Sequence, residues 1–569
     1  MRFGSNQHIK GLLRHGLLSL FLVFSGLVVK AQHTYVPKGG MTDHILDRLE
    51  IKLGKLANDY FHLGSHSIRR QQVALFADSF PVTTVTLSGR DYFNLSYLIN
   101  DNFEWSNNVE SLSKKPVRGT FYKRKSALYS VQEKDFNLVV NPLAYFMVST
   151  DKYNGNPTFL NNRGVEIRGN VGQKIGFYTA VSDEITNPYS WVGEYMNRDS
   201  GTLMYANFVK SYPKNFNYFL SSAYVSGSFN KYMDVQFGHF KNFIGDGQRS
   251  FIIGGIHPEY LCLRLNTRIW KMNYTNIWAE LRDPAQRVYA VQRRHYMATH
   301  HLSLNLGKNF NLGMFETILF NRDSGYSNTG FDPNYLNPLI FYKSLENGLN
   351  STDKTIIGIN YKWNFKRQFS LYGQVVISEF VLKEILAANG WMHNKFSVQT
   401  GIKYLDVAGV KNLDVQAELN LARPFHYSSF NQSQSFSNFR QFMAHPLGAN
   451  FYEAIGIVRY QPANRWNIVA KVIWAQYGND TNGSNYGKDL RLSYRTTSTA
   501  PYGNFIGQGI GTNLLFYDIC STWMPKHNLF VDFVVGGRTT QSDLALFNSK
   551  TLYVSLALRL NLVPRNYDF

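Results

Sequence analysis

Cysteine is nearly absent from this chain: Cys262 and Cys520 are the only two among 569 residues. So few exclude a disulfide framework and give no support to a cysteine-held metal; both read as strand residues that fill space. Long apolar runs are missing too. After the first 31 residues no stretch resembles a transmembrane helix, and a mean hydropathy of −0.27 argues against a helical membrane protein. The motifs of common hydrolases and metalloenzymes are also lacking: there is no HExxH, no GxSxG and no His or acid cluster at metal-ligand spacing. No cofactor is therefore expected, and no enzyme activity. His300 and His301 enter a strand side by side and so point to opposite faces. Acidic residues are in short supply as well, 39 against 59 basic ones, which leaves a formal charge of +20.

What is present begins with an export signal. Lys10 and Arg14 precede an apolar run over Gly16 to Val29, and Val29-Lys30-Ala31 follows with a small residue at the cleavage position. That order reads as a signal peptide over residues 1–31, leaving Gln32 first in the mature chain. No cysteine lies there, which argues against a lipoprotein. In an exported protein the excess positive charge excludes nucleic acid as partner. It points instead to lipopolysaccharide, acidic polysaccharide or anionic solutes.

Aromatic residues make up 15% of the chain, with 36 Tyr and 42 Phe, an excess that suits strands and the aromatic girdles of a membrane barrel. From about residue 135 a period-2 alternation recurs. Leu552, Val554, Leu556, Leu558 and Leu560 share one face, against Tyr553, Ser555, Ala557 and Arg559 on the other. Leu413, Val415, Ala417 and Leu419 oppose Asp414, Gln416, Glu418 and Asn420. Connection lengths decide between a soluble sandwich and a barrel. Short connections near residues 172, 230, 271, 307, 366, 408, 463 and 525 alternate with long ones, among them 184–217, 240–260, 321–354, 423–450 and 478–512. Outer-membrane barrels segregate loop length in this way, with short periplasmic turns and long outer loops.

The reading is an all-β transmembrane outer-membrane barrel of about 18 antiparallel strands over residues 135–569, with a small periplasmic helical region and linker over 32–134. Phe569 is a terminal aromatic of the kind common in barrels. Charge on the lipid face costs ~2–4 kcal/mol at mid-membrane. The alternation therefore turns Glu166, Arg168, Asp234, Arg264, Glu280, Lys403, Asp414, Glu418, Asp532 and Arg559 toward the lumen. Their mixed signs predict pairing across it, as a brace or as a filter for anions.

Before the barrel, Leu46, Leu49, Leu53, Leu56, Tyr60 and Leu63 recur at steps of three and four. They predict one helix from Thr42 or Asp43, and two shorter helices follow over 67–77 and 88–100. They are too polar to span a membrane. They are expected against the inner mouth, as a cap or as a platform for a periplasmic protein partner.

Several loop segments stand out: the glycine-rich turn Phe243–Ser250, Asn161–Gly169, Tyr335–Pro338, Ala422–Ser428 and Ala444–Asn450. With the periplasmic helices and the strand count, they resemble the capsule assembly Wzi family, most nearly its branch associated with gliding motility and surface polysaccharide. The resemblance runs over most of the mature chain. It implies an 18-stranded outer-membrane barrel with a small periplasmic helical bundle, and a surface lectin that holds capsular polysaccharide. The turn at Gly245–Ser250 departs from the tryptophan-bearing turn of the capsule proteins.

The residues offer a sugar-binding set of their own. Aromatic faces stack on pyranose rings, while acids and arginines take hydroxyls and sugar acids. The candidates are Tyr189, Trp191, Asp246, Arg249, Tyr335, Arg423, Tyr427 and His445. The alternative for the aromatics is loop packing. For Arg249 and Arg423 it is bracing against acids such as Asp246, and for His445 it is capping a turn. Two other functions stay open: a channel for anionic solutes, which predicts an open lumen, and a barrel hydrolase.

Overall fold

The computed structural model describes residues 34–569 except 107–110, 154–156, 173, 199–205, 207–208, 212–214, 283–293, 325–326, 342–352 and 482. Residues 1–31, expected to be a signal peptide, and Gln32 lie outside the described residues.

Eighteen strands close on themselves. The first six are β1 (Phe136–Asp151), β2 (Thr158–Val171), β3 (Ile175–Asn187), β4 (Phe216–Ser228), β5 (Met233–Phe240) and β6 (Tyr260–Ile269). Then come β7 (Met272–Arg282), β8 (Arg294–Leu306), β9 (Phe310–Phe320), β10 (Lys354–Phe365), β11 (Phe369–Glu379) and β12 (Lys395–Tyr404). The last are β13 (Leu413–Ala422), β14 (Phe451–Ala463), β15 (Trp466–Asn479), β16 (Ile510–Lys526), β17 (Leu529–Ser542) and β18 (Ser549–Leu560). Each pairs antiparallel with the next, and β18 returns to β1 with Leu560 opposite Ala144 and Tyr553 opposite Asp151. Closure leaves no free edge, so every backbone group of the wall can be satisfied within it, which is what a bilayer demands.

The alternation does what its chemistry requires. On β18 Leu552, Val554, Leu556 and Leu558 are exposed on the outside, while Tyr553, Ser555, Ala557 and Arg559 are buried within. At the short-turn end Trp270, Trp363, Trp466 and Trp523 stand exposed as an aromatic girdle, which marks the headgroup level. The short turns fall where the alternation predicts them, and that end is the periplasmic one.

Three helices cover it: α1 (Met41–Leu53), α2 (Arg70–Asp78) and α3 (Gly89–Asp101). Ser88 caps α3, its Oγ accepting from Asp91 N while the Asp91 carboxylate accepts from Ser88 N. Helix α1 is shorter than its leucine stripe predicts. Gly54 ends it in the left-handed region (φ 70°), where a Cβ would meet Arg367 at 2.8 Å. Leu56, Tyr60 and Leu63 continue the stripe's packing from non-α backbone, and Leu56 N bonds the carbonyl of Lys308 in the β8–β9 turn. Leu46, Leu49, Phe61, Phe76, Leu95 and Leu98 form a small core of their own that takes in Met524 and Phe530 of the barrel. No helix among the described residues is long and apolar enough to cross a membrane.

Candidate functional site

The lumen is occupied from three directions, and the side chains singled out in the sequence hold that filling in place. From below, α1 reaches the wall. Arg48 pairs with Asp91 at 2.8 Å and Asp406 at 2.6 Å, and also with Asp414 on β13. Lys362 and Lys403 hold Asp47 at 2.9 and 2.6 Å. Burial alone would raise the Asp47 and Asp91 carboxyls; the cations beside them reverse this and hold both well below the usual carboxylate range.

From above, the β5–β6 loop folds into the barrel. Its tip is the glycine-rich turn. Gly245 N donates to Gly64 O at 2.8 Å, so an outer loop and the periplasmic region meet inside the lumen. Gln248 N and Arg249 N both donate to Glu418 on β13, at 2.7 and 3.1 Å. Glycine is required here by crowding: a Cβ on Gly247 would lie 2.5 Å from Glu418, and one on Gly254 would lie 2.1 Å from the Ala444 carbonyl.

The third element is the segment after β18. Residues 561–569 run back up the lumen. Arg565 pairs with Glu184, the Tyr567 carbonyl accepts from Trp191 Nε1 at 3.1 Å, and Asp568 pairs with Arg249 at 3.0 Å and Lys471 at 2.7 Å. Phe569 is thus not a strand-ending residue; its carbonyl accepts from Arg538 inside the barrel. Arg249 ties the loop and the tail to the wall, because it also pairs with Glu453 on β14 at 3.2 Å. Burial opposes its charge, but Asp568 and Glu453 outweigh this and hold the guanidinium above its ordinary value. Burial likewise opposes the charge of Asp568, yet Arg249 and Lys471 bring it down to about 2. A chamber of about 720 Å³ remains between helices, loop and tail, with Tyr178, Tyr224, Arg264 and Lys471 on its walls.

The eight predicted sugar-binding residues do not come together as one exposed cluster. Tyr189 and Trp191, at the start of helix α4 (Ser190–Arg198), stack 4.7 Å apart at the lumen's upper end and pack on Tyr553 and Tyr567. Asp246 lies 3.7 Å from Lys362, and Arg249 pairs with Glu453 and Asp568 rather than with it. Tyr335 packs on Phe320, Tyr296 and Trp278, lipid-side residues of β7–β9, under a segment of the β9–β10 loop. Arg423 donates to the carbonyls of Asn394 and Trp391. Tyr427 is fully buried and donates to Phe251 O at 2.6 Å. His445 Nδ1 accepts from Leu447 N, which leaves its proton on Nε2 to donate to Glu453 at 2.8 Å; burial lowers the ring's pKa.

The predicted lumen charges all face inward except Glu280, which sits on the outer side of β7 near its loop end and pairs with Arg282 and Arg294. The others do not pair across the lumen. Arg168 pairs with Glu166 on its own strand and with Glu104, and Arg559 with its neighbour Asp532. Asp234 pairs with Arg69, Asp414 with Arg48, and Lys403 with Asp47, all from the N-terminal region. Glu418 holds the glycine turn, and Arg264 donates to Asn242 at its base. An 18-strand barrel is too wide for two side chains to meet across it, so the filling bridges the gap.

The outer rim carries a feature the sequence reading missed. The β11–β12, β13–β14 and β15–β16 loops bring together Trp391, His393, Phe430, Tyr494 and Arg495. Trp391 lies 5.0 Å from His393, His393 lies 5.2 Å from Tyr494, and Arg495 sits 3.3 Å above the Phe430 ring. His393 is 2.9 Å from Glu379, and Lys395 sits over Tyr494 at 3.8 Å. Burial lowers the His393 pKa, and Glu379 offsets part of that. Phe430 is 44% exposed. No sequence spacing joins these five; three separate loops must fold before they share a surface.

The closed wall, apolar outside and filled within, defines a transmembrane β-barrel of the outer-membrane class, and the chain is an outer-membrane protein. Among solved structures the chain is similar to Wzi of Escherichia coli, described as an outer-membrane protein involved in group 1 capsule assembly and a carbohydrate-binding β-barrel. The two superpose with a TM-score of 0.57 at 10% identity, over 94% of this chain and 100% of that one. That likeness is one of fold. Pseudomonas aeruginosa OprD matches with a TM-score of 0.41 at 7% identity, over 74% of this chain and 94% of that one. Acinetobacter baumannii OccAB3 matches at 0.40 and 11% identity, over 75% and 99%. No family model and no curated protein matches the chain.

Proposed function

We propose that this protein is a non-enzymatic binder of capsular or surface polysaccharide. The observation that carries this reading is the outward shelf of Trp391, His393, Phe430, Tyr494 and Arg495. Half-exposed rings offer stacking faces for pyranoses, while Arg495 and His393 offer donors to a sugar carboxylate or hydroxyl. The filled lumen supports the same reading, because a barrel stoppered by ion pairs from three elements serves better as a rigid mount than as a passage. The fold shared with a barrel described as carbohydrate-binding adds to it. The eight residues first singled out then act as braces that set the loops. A link to gliding motility rests on the sequence resemblance alone, and a periplasmic protein held by α1–α3 rests on their position. The channel reading would require the filling to move aside.

The test is calorimetry of the purified full chain against the host's own surface polysaccharide. Saturable binding is expected, weakened about tenfold or more by Trp391→Ala with Tyr494→Ala, at unchanged thermal stability. No binding by the parent protein, or binding indifferent to the double variant, would sink the reading.

A further inference from the structure

The excess positive charge is not spread evenly over the barrel. Seven of the eight short turns carry a lysine or arginine, and Lys526 immediately precedes the eighth. Lys174, Lys231, Lys308, Lys366 and Lys526 are exposed. The turns hold a single acid, Asp406, and it is already paired with Arg48 and Lys52. The outer loops, by contrast, mix both signs.

A second cationic element joins this ring. Residues 111–128 include a short hairpin whose tip, Arg118 and Gly119, has positive φ at both positions (52° and 68°), with Thr120 N bonded to Val117 O. Between 111 and 132 there are six lysines and arginines and no acid; Glu133, Lys134 and Asp135 follow in the turn into β1. Arg124 ties the hairpin to the body through Ser111, Gln132 and the Phe103 ring. Lys114, Lys115 and Arg118 are exposed, as are Val117 and Phe121.

Strand pairing sets the hairpin's place. The strand that follows the hairpin, Tyr129–Gln132, is its link to the wall, the stem on which it stands, and pairs with Val140–Asn137 of β1. This is the edge of β1 that β18 occupies from Ala144 onward. The stem therefore continues the wall directly beneath β18, starting four residues further toward the periplasm. That is ~13 Å along the strand. The cations of the turns lie at the level of the tryptophan girdle, with Lys231 over Tyr232 at 4.8 Å and Lys271 over Trp270 at 5.2 Å. Aromatic rings at the membrane interface with lysines just beyond them meet headgroups.

We infer that the turn cations and the 111–128 hairpin form a collar that binds anionic glycerophospholipid headgroups of the inner leaflet. The phosphodiester is the group recognised. The exposed Val117 and Phe121 sit against the acyl boundary, and Lys114, Lys115 and Arg118 sit on the phosphates.

The full chain is placed in nanodiscs of equal phosphatidylglycerol and phosphatidylethanolamine, extracted gently, and its retained lipids are counted by native mass spectrometry. Retained phosphatidylglycerol is expected to exceed phosphatidylethanolamine about tenfold at low salt, and the excess should shrink at high salt. Lys114→Gln, Lys115→Gln, Arg118→Gln and Lys123→Gln together should cut it to about twofold, and Lys231→Gln with Lys308→Gln and Lys366→Gln should lower it independently. Removing charge at the outer end by Lys152→Gln and Lys383→Gln in the loops and Lys550→Gln at the start of β18 should leave it in place. Heat-modifiable gel migration confirms a closed barrel in every variant. Retained lipid at the bulk ratio, as a periplasmic protein or peptidoglycan occupant would give, overturns the proposal; so does an excess that the outer-loop variant lowers as much as the collar variants do.

Discussion

The wall and its filling are built on different principles. The wall is a backbone ladder. Each strand pairs with its sequence neighbour, and side chains only have to alternate between lipid and lumen. The filling has almost no backbone ladder. It consists of segments 34–106, 241–259 and 561–569, which are far apart in sequence and joined by charged side chains buried from water. A wall of this kind tolerates exchange of one apolar side chain for another. A filling held by paired buried charges does not tolerate loss of one partner, because the other is left desolvated and alone.

The largest expected effect follows from that asymmetry. Arg249→Leu removes the cation that Glu453 and Asp568 share, leaving them only His445 and Lys471, and should cost up to ~3–5 kcal/mol of the filling's stability. Far-ultraviolet circular dichroism should stay strand-rich while planar-bilayer recordings gain conductance steps absent from the parent protein. An unchanged trace would mean that the helices and tail hold the stopper without this arginine.

Next is a change to the wall. Leu556→Arg places a charge on the lipid side at mid-strand and should cost ~2–4 kcal/mol, read by urea titration in lipid vesicles. Leu556→Ile at the same position should be nearly silent. If the two behaved alike, the outer face of β18 would not be lipid-facing.

The smallest effect is one of pH. The Asp568 carboxyl is held at about 2 in the folded protein, below its ordinary 3.8. A depressed folded pKa contributes stability above the unfolded value, lost as pH falls through the folded one. The filling should therefore hold steady above about pH 4 and lose ~2 kcal/mol between pH 4 and 2. Asp568→Asn should shrink that acid step, leaving the part carried by Glu453, which Arg249 and His445 also hold at about 2, and hydrogen exchange of the glycine turn can follow it.

The same division explains what was legible in the sequence. The wall was, strand by strand, because alternation and loop length are local signals; Leu413–Asn420 and Leu552–Leu560 stand as read. The helical region was nearly so, with α1 stopped early by a glycine that the leucine stripe runs past. The inward direction of Asp234, Asp414 and Lys403 was legible too, but not their partners, since nothing local to β5 or β13 announces Arg69 or Arg48. The outer loops misled for the same reason. Tyr427 and Trp191 carry the residue types of a sugar site, yet aromatic rings in a long loop pack inward when other loops arrive to bury them. The shelf at Trp391 and Tyr494 became visible only once three loops were in place.

The docking of α1–α3 bears on the order in which the molecule can be put together. Leu56 bonds the β8–β9 turn, Arg90 the carbonyl of Pro462 at the end of β14, and Tyr97 Asn528 between β16 and β17. Gly40 lies against Val563, beyond the last strand. The residues made first therefore find their partners only when the rest of the chain has been delivered and the ring has shut. Until then their apolar core and buried cations must be kept from other company, and the final act of assembly is the seating of the segment that led the way.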